Sequence, residues 1–223
     1  MQTALQELPQ LTLNFYSYGI LMRKAVGDGT YTEYPVDAGH IAQALAAKVR
    51  FDTGLLNEDV LLIRREGVRE IIVSYRRPQK TGLWLEGSDE PLRVPLPGLI
   101  LIRTCQADTP QYQLYAVKRR PKTLIAPLYH APLPNVFSSG SICWGSVPQA
   151  LSKGPSLTAD WERLLGSPFG SHAVGGKSQQ QRQDIRTLLL KIGAENKRIY
   201  PTGDLIALDK TLDQVIKGGH SDD

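Results

Sequence analysis

The periodicity of apolar residues changes once along this chain, at a turn-rich loop of fourteen residues, 132–145. Before the loop, short apolar or alternating runs are separated by turn residues, a pattern that is typical of β-strands. After it, apolar residues recur with helical spacing, most clearly at Ile185, Leu188, Leu189 and Ile192. Because strands precede helices rather than alternating with them, the chain is predicted to have an α+β fold.

Six segments before the loop have the composition of strands. Those at 99–104 and 111–118 are the most apolar, and we expect them at the centre of an antiparallel meander. The segment 91–97 contains three prolines and is predicted to be a connection. The predicted strands of this meander are 60–64, 70–75, 83–85, 99–104, 111–118 and 123–129.

A β-hairpin is predicted ahead of the meander. Residues 11–22 alternate in polarity and are expected to pair with residues 30–34 through the turn signal Gly27-Asp28-Gly29. Asp37 is a favourable N-cap for a short helix that reaches about Lys48. The predicted division is an N-terminal hairpin extension packed on the same domain (1–36), the main domain (37–217) and a disordered tail (218–223).

Three helices are predicted after the loop, each with a side chain that can cap its N-terminus. The first covers residues 159–165, the second carries the stripe from Ile185 to Ile192, and the third is short. Their predicted caps are, in chain order, Thr158, Ser178 with Gln181 in a capping box, and Thr211 with Gln214 in another.

The loop itself holds Cys143, one of only two cysteines, next to the large side chain of Trp144. Loops on rigid scaffolds often carry catalytic groups, so Cys143 is a candidate nucleophile. A buried structural thiol is the alternative, and we expect Cys105, which lies in a strand pattern, to be one.

The segment 134–143, Pro-Asn-Val-Phe-Ser-Ser-Gly-Ser-Ile-Cys, resembles the active-site segment of ubiquitin-conjugating enzymes. That family has His-Pro-Asn, an aliphatic and an aromatic residue, a turn with glycine, and then Ile or Val before the cysteine. Leu133 stands where the family has histidine, a residue that mainly orients the loop. The resemblance implies the ubiquitin-conjugating fold: an antiparallel β-meander with flanking helices.

Further segments, at 92–99, 167–169 and 176–178, are similar to the bacterial branch of this superfamily, prokaryotic family D. Within it, the chain looks most like the protein B family of the plasmid-associated ParB-related, ThiF-related cassette (the PRTRC system). The resemblance implies an enzyme that carries a small ubiquitin-like protein as a thioester on Cys143 and transfers it to a lysine. Its partners would be that ubiquitin-like protein, a ThiF-like adenylating enzyme and a protein substrate.

Such a transfer assigns roles to specific residues. Asn135 would stabilise the oxyanion that develops when the carbonyl is attacked. His172 and Asp160 are the nearest downstream groups that could take the proton of an incoming lysine, although an isolated histidine is more often a packed or capping residue. Trp144 and two phenylalanines, Phe137 and Phe169, are candidates to exclude water.

Gly175-Gly176-Lys177-Ser178 invites comparison with a phosphate-binding loop. That motif needs a glycine at position 171, which is serine here, and a strand before it, so we exclude nucleotide binding by this mechanism. A helix that begins there would still attract an anion, such as a partner's carboxylate. The simplest prediction is a glycine bend followed by a capped helix, and we expect neither a metal nor a cofactor.

Composition excludes some classes and leaves others open. No run reaches the roughly 20 apolar residues of a membrane span, and the first residues do not form a secretory signal. Two cysteines without framework spacing predict a reducing cytoplasm, where Cys143 stays a thiol. A net charge of +4 permits an acidic partner without requiring nucleic acid.

Three alternatives remain open from sequence. A catalytically inactive interaction scaffold of the same fold is suggested by Leu133 at the histidine position. A DNA-binding accessory protein is suggested by basic doublets at predicted strand ends, although no groove-binding element is visible. A cysteine hydrolase would pair Cys143 with His172 and act without ATP.

Overall fold

In a computed structural model of the chain, the described residues are 11–27, 29–46, 53–67, 69–106, 109–147 and 154–218. They belong to two compact units whose boundary falls between residues 52 and 53. Residues 1–10 of the predicted N-terminal extension lie outside the described residues. So does most of the predicted disordered tail, of which only Gly218 is described, at the end of a helix.

The first unit holds a three-stranded antiparallel sheet with strands in chain order, followed by a helix. The predicted hairpin therefore has one strand too few: residues 17–18 form a turn that splits the alternating segment, and Tyr16 pairs with Gly19. Asp37 is confirmed as a cap, because its Oδ1 accepts hydrogen bonds from the backbone N–H of Gly39 at 2.8 Å and of His40 at 3.1 Å. The elements are β1 Leu11–Tyr16, β2 Gly19–Gly27, β3 Thr30–Val36 and α1 Ala38–Ala46.

The boundary at 52/53 groups α1 with this first unit, whereas the sequence placed it at the start of the main domain. The packing of the N-terminal extension on the main domain stays a prediction.

The second unit is built on a six-stranded antiparallel sheet, as the α+β prediction requires. Its strands run in the order β12-β10-β9-β8-β5-β4, and a smaller sheet has the order β11-β6-β7. The strands are β4 Val60–Glu66, β5 Arg69–Arg76, β6 Gln79–Leu85, β7 Leu92–Leu96, β8 Gly98–Gln106, β9 Thr109–Val117, β10 Pro127–His130, β11 Pro168–Phe169 and β12 Ala207–Thr211. The helices are α2 Thr158–Gly166, α3 Ile185–Ala194 and α4 Leu212–Gly218.

The proline-rich segment predicted to be a connection contains strand β7. Pro95 pairs with Lys80 of β6, and β7 lies at the edge of its three-stranded sheet. Proline has no backbone N–H to donate to a ladder, but an edge strand needs ladder hydrogen bonds on one side only. The prediction was wrong because the sequence does not show which strands are edges.

Both faces of the large sheet are covered at β8, so this central strand is apolar on both faces from Leu99 to Ile102. Leu99 and Leu101 of β8 face a cluster that includes α2 and α3, whereas Ile100 and Ile102 face one that includes α4. Burying each such side chain stabilises the fold by about 1.5–3 kcal/mol. Leu133 belongs to the first cluster, which anchors the start of the cysteine loop in the core.

The predicted helix caps were correct at one of the three helices. Thr211 and Gln214 form the expected capping box, with Thr211 N–H donating to Gln214 Oε1 at 2.8 Å. Helix α2 has Leu157 at its N-cap and no side-chain cap, because Thr158 is already its first residue. Helix α3 is capped by Asp184; the Ser178 hydroxyl instead accepts from the backbone N–H of Gln181 at 2.8 Å, in a turn before the helix.

Candidate active site

The cysteine loop folds into a small hairpin that places Cys143 opposite Asn135. Val136 and Ile142 form an antiparallel bridge, and the N–H of Phe137 donates to the carbonyl of Ser141 at 2.9 Å. The backbone N–H of Cys143 then donates to the carbonyl of Asn135 at 2.7 Å. The eight-residue spacing between these two residues is therefore the span of one hairpin.

This hairpin docks on the edge of β9. Strand β10 pairs with only two residues of β9, Tyr115 and Ala116, which leaves the preceding part of that edge open. The hairpin occupies it: the N–H of Leu114 donates to the carbonyl of Gly140 at 2.8 Å, and the N–H of Ile142 donates to the carbonyl of Tyr112 at 3.2 Å. The cysteine is thus carried by a segment that extends the central sheet.

Gly140 is required at the tip of the hairpin for two reasons. Its φ of +89° lies in the region that glycine alone enters freely. A side chain at this position would also collide with the buried ring of Tyr115, whose hydroxyl donates to the carbonyl of Ser139 at 2.5 Å. This contact explains the glycine of the motif.

Cys143 is half-buried and has no disulfide partner. The neighbouring Trp144 packs edge-on against Tyr112, with ring centroids 5.2 Å apart. Cys105 of β8 is also half-buried and reduced, so it is less enclosed than the predicted core thiol. Burial does not distinguish the two cysteines; the docked hairpin does.

Asn135 makes more contacts than the sequence predicted. It has a positive φ of +58°, which asparagine tolerates better than most residues. Its Nδ2 donates to the carbonyl of Pro168 at 3.1 Å, and its Oδ1 accepts from the N–H of Gly170 at 3.3 Å. The carboxamide therefore ties the cysteine hairpin to strand β11 and retains a second Nδ2 proton for another acceptor.

His172 lies beside the same hairpin. Its carbonyl accepts from the N–H of Asn135 at 2.8 Å, and its exposed ring packs edge-on against Phe137 at 5.2 Å. The structure thus brings the predicted residues Cys143, Asn135 and His172 to one loop cluster.

Asp160, the other candidate proton acceptor, does not belong to this cluster. It is fully buried in α2, where its Oδ1 accepts from the hydroxyl of Tyr112 at 2.9 Å and its Oδ2 lies 3.5 Å from the guanidinium of Arg103. Burial and the neighbouring Asp160 raise the pKa of Tyr112 above its usual range. Asp160 therefore neutralises a core arginine and is not placed to receive a proton from an incoming lysine.

The aromatic residues predicted to exclude water differ in their exposure and position. Phe137 is 42% exposed and Trp144 is half-buried, so both remain at the loop. Phe169 is 1% exposed and packs in the core. Its two neighbours, Pro168 and Gly170, are hydrogen-bonded to Asn135. Phe169 therefore anchors the segment that holds Asn135, and it does not cover the cysteine.

Lys177 is a site residue that the sequence did not predict. It is 3% exposed, and its Nζ donates to the carbonyl of Leu133 at 2.5 Å and to the carbonyl of Val136. Burial lowers the pKa of Lys177 to about 7. Gly176, with φ +73°, confirms the predicted glycine bend, but α3 begins only at Ile185, so no helix end at Lys177 is available for an anion.

Glu86 was also missed. It is exposed, its N–H donates to the carbonyl of Phe169 at 2.9 Å, and its carboxylate approaches Gly170. A side-chain carbon at position 170 would lie 2.8 Å from Glu86 Oε2 and 3.8 Å from Asn135 Oδ1. A carboxylate thus lies next to Gly170, the residue whose N–H binds Asn135 Oδ1.

A groove of about 310 Å³ lies between the open end of β9 and the hairpin; Ile142 and Trp144 line it, whereas Cys143 itself does not. Its lining includes the polar residues Gln111, Gln113 and Ser141 together with Ile142 and Trp144. Within the described ranges, no three His, Cys, Asp or Glu side chains lie close enough to hold a metal ion.

The basic doublets have different environments. Arg65 pairs with Glu70 at 2.6 Å, and Arg76 lies over the ring of Trp161 at 5.8 Å. A cavity of about 430 Å³ is lined by four basic side chains, Lys118, Arg119, Arg120 and Lys122, together with Tyr129.

An antiparallel meander with a cysteine hairpin at its edge and helices after it is the arrangement of a ubiquitin-conjugating-like protein. Residues 38–208 match the model of prokaryotic E2 family D, and the chain belongs to that family. Membership indicates a ubiquitin-conjugating-like role, with ubiquitin-like proteins and their activating enzymes as the general class of partner. Comparisons with curated proteins and with solved structures gave no significant match.

None of the helices in the described part of the chain is both long and apolar enough to span a membrane.

Proposed function

We propose that the chain carries a small ubiquitin-like protein as a thioester on Cys143 and transfers it to a lysine. The observation that supports this most is the hairpin that sets Cys143 opposite Asn135, with the N–H of one bonded to the carbonyl of the other. Family membership supports this class of reaction, and the position of Cys143 within the matched residues supports it as the nucleophile.

Two acyl transfers would take place at this sulfur. In the first, the Cys143 thiolate attacks the thioester carbonyl on the activating enzyme, and that enzyme's sulfur leaves as a thiolate. In the second, a lysine amine attacks the new thioester, Cys143 leaves as a thiolate, and the amine loses one proton as the amide forms. Modest thiol reactivity is sufficient because the acyl group arrives already activated.

Asn135 would contribute to both transfers. One Nδ2 proton binds Pro168, which holds the carboxamide in place, and the other is free to donate to the oxyanion of the tetrahedral intermediate. A donor already held by the fold costs no reorganisation when the charge develops.

The partners in this proposal are a ThiF-like adenylating enzyme, the ubiquitin-like protein that it activates and a protein substrate. A place in the ParB-related, ThiF-related plasmid cassette, as its protein B, is the specific assignment that we propose for the chain.

The direct test mixes the purified chain with its activating enzyme, ATP and the ubiquitin-like protein. An ATP-dependent adduct that is reversed by excess thiol supports the proposal. No adduct, or hydrolysis of a peptide or thioester without ATP, would reject it, and the second result would favour a cysteine hydrolase instead.

Asn135→Gly removes the carboxamide while allowing the positive φ. We expect transfer from Cys143 to lysine to slow by about 100- to 1000-fold, the usual effect of losing one oxyanion donor. Single-turnover discharge of the preformed adduct measures this. Asn135→Asp is the matched variant: it keeps the size but replaces the donor with an acceptor, and a rate close to wild type in either variant would contradict this role.

His172→Gln removes the imidazole that we propose takes the proton of the attacking lysine. We expect discharge to lysine to fall by about 100-fold, within the range for general base catalysis, with adduct formation unchanged. Discharge rates as a function of pH measure this. If discharge is unchanged in His172→Gln and lost in Glu86→Gln, the proton acceptor is the carboxylate and the assignment is wrong.

An interaction scaffold without catalysis is the second candidate. It is favoured by Leu133, which is fully buried where the family has histidine. The cellular activity of the Cys143→Ala and Asn135→Gly variants in the host distinguishes the two functions. A scaffold keeps its activity in both variants, whereas a catalytic carrier loses it.

A further inference from the structure

Lys177 is a buried cation for which the proposed chemistry has no use. Its Nζ is bonded to two carbonyls, those of Leu133 and Val136, and the side chain is 3% exposed. Removing an ammonium group from water is costly unless it is hydrogen-bonded, so these two contacts are needed to keep the side chain in place.

The two carbonyls lie on either side of Asn135. They belong to residues three apart, and both point to one nitrogen, which fixes the turn between them. That turn sets the positive φ of Asn135 and the direction of its carbonyl, which accepts from the N–H of Cys143. The contacts of Lys177 Nζ therefore help to position the hydrogen bond between the N–H of Cys143 and the carbonyl of Asn135.

Lys177 is itself held by its backbone. The N–H of Gly176 donates to the carbonyl of Arg182 at 2.8 Å, and Ser178 is buried and forms a bridge with Leu205. Because both neighbours are fixed, the position of Nζ is set by the fold and not by the loop that it binds. His130 also faces this group, and its pKa is lowered by burial and by the charge of Lys177.

We propose that Lys177 is a positioning residue for the Cys143 hairpin: it binds the carbonyls of Leu133 and Val136 and so holds Asn135 and Cys143 in register. This inference rests on the proposed function for its consequence in catalysis, but not for its effect on the loop.

The test compares Lys177→Met with Lys80→Met. Lys80 is the control, because its Nζ also donates to the backbone carbonyl of an asparagine of positive φ, Asn196, at 3.2 Å, and to the Oδ1 of the same residue at 2.5 Å, where no cysteine is held. The first measurement is the rate at which iodoacetamide modifies each cysteine, followed by mass spectrometry, with Cys105 as internal reference. The second is the rate of adduct formation at increasing concentrations of charged activating enzyme.

In Lys177→Met we expect alkylation of Cys143 to accelerate by about tenfold, from the loss of two hydrogen bonds to the loop, with Cys105 and the Lys80→Met variant unchanged. The maximal rate of adduct formation falls and the KM for the activating enzyme stays the same. Equal acceleration at both cysteines, or no change at Cys143, overturns the proposal.

Two further outcomes are informative. If Lys177→Met does not fold, Lys177→Gln, which keeps a donor, is measured in the same way; failure of both to fold assigns Lys177 to global stability and overturns the proposal. If the wild-type chain forms no adduct, the proposed function fails, but the alkylation rates still decide whether Lys177 positions the loop.

Discussion

Cys143→Ala is expected to abolish the adduct with the ubiquitin-like protein, and Cys143→Ser to convert it into one that thiols cannot reverse. Alanine has no nucleophile, so acyl transfer to this position stops altogether. Serine attacks more slowly but forms an oxygen ester, which resists the thiol exchange that cleaves a thioester. Gel separation with and without reducing agent, over a time course, measures both effects.

Cys105→Ser is the matched control for this prediction. Cys105 is the other half-buried free cysteine, but it lies within β8, where it pairs with Pro110 of β9, and not in the segment 134–143. The adduct of Cys105→Ser should form at the wild-type rate and remain sensitive to thiols. Loss of the adduct in Cys105→Ser, with retention in Cys143→Ala, would move the acyl site to β8 and contradict the proposal.

Asp160→Ala is expected to lower the free energy of unfolding by about 3–5 kcal/mol, the usual effect of removing one partner of a buried ion pair. The carboxylate is fully buried, and its loss leaves the guanidinium of Arg103, 6% exposed, with the more distant charge of Glu70 at 3.8 Å. The hydroxyl of Tyr112 loses its acceptor as well. Urea denaturation followed by tryptophan fluorescence measures the change, since Trp161 lies in the same helix.

Two variants serve as controls for this prediction. Glu195→Ala breaks an exposed pair with Lys197, 3.0 Å apart, and should change stability by no more than about 0.5 kcal/mol. The double replacement Asp160→Leu with Arg103→Met removes both charges and should recover much of the loss. Below its unfolding temperature, Asp160→Ala should still form the adduct; a folded variant with full stability and no activity would show that Asp160 is catalytic after all.

Local patterns predicted the parts of this fold that neighbouring residues determine. Strands β8 and β9 are buried on both faces, so their apolar runs are conspicuous in the sequence, and the stripe of α3 has the helical period. The cysteine segment was predicted as a turn-rich loop, and it does contain a glycine and an asparagine of positive φ. That it forms a hairpin docked on β9 was not predicted, because the docking depends on residues elsewhere in the chain.

The features that were missed depend on contacts between distant residues. Lys177 binds carbonyls 41 and 44 residues earlier, and Asp160 binds Tyr112, which is 48 residues earlier. Nothing local distinguishes a lysine after two glycines that turns into the core from one that faces solvent. The cap of α3 failed for a related reason: Ser178 and Gln181 form their hydrogen bond, but the following chain pairs with other segments before the helix starts.

Leu133 is understood only when its sequence position and its structural contacts are considered together. From sequence it is a departure from the family's histidine, which leaves the orientation of the loop unexplained. In the structure its side chain is buried in the main cluster and its carbonyl binds Lys177. The turn that holds Asn135 is therefore fixed by packing on one side and by an ammonium group on the other.

The most direct test of the account is the mass and position of the modification on the wild-type chain after incubation with its activating enzyme, ATP and the ubiquitin-like protein. We predict one added copy of the partner, with loss of one water, on the peptide that contains Cys143, released by hydroxylamine at neutral pH. Modification of a different residue, or a chain of unchanged mass beside a fully charged activating enzyme, would contradict it.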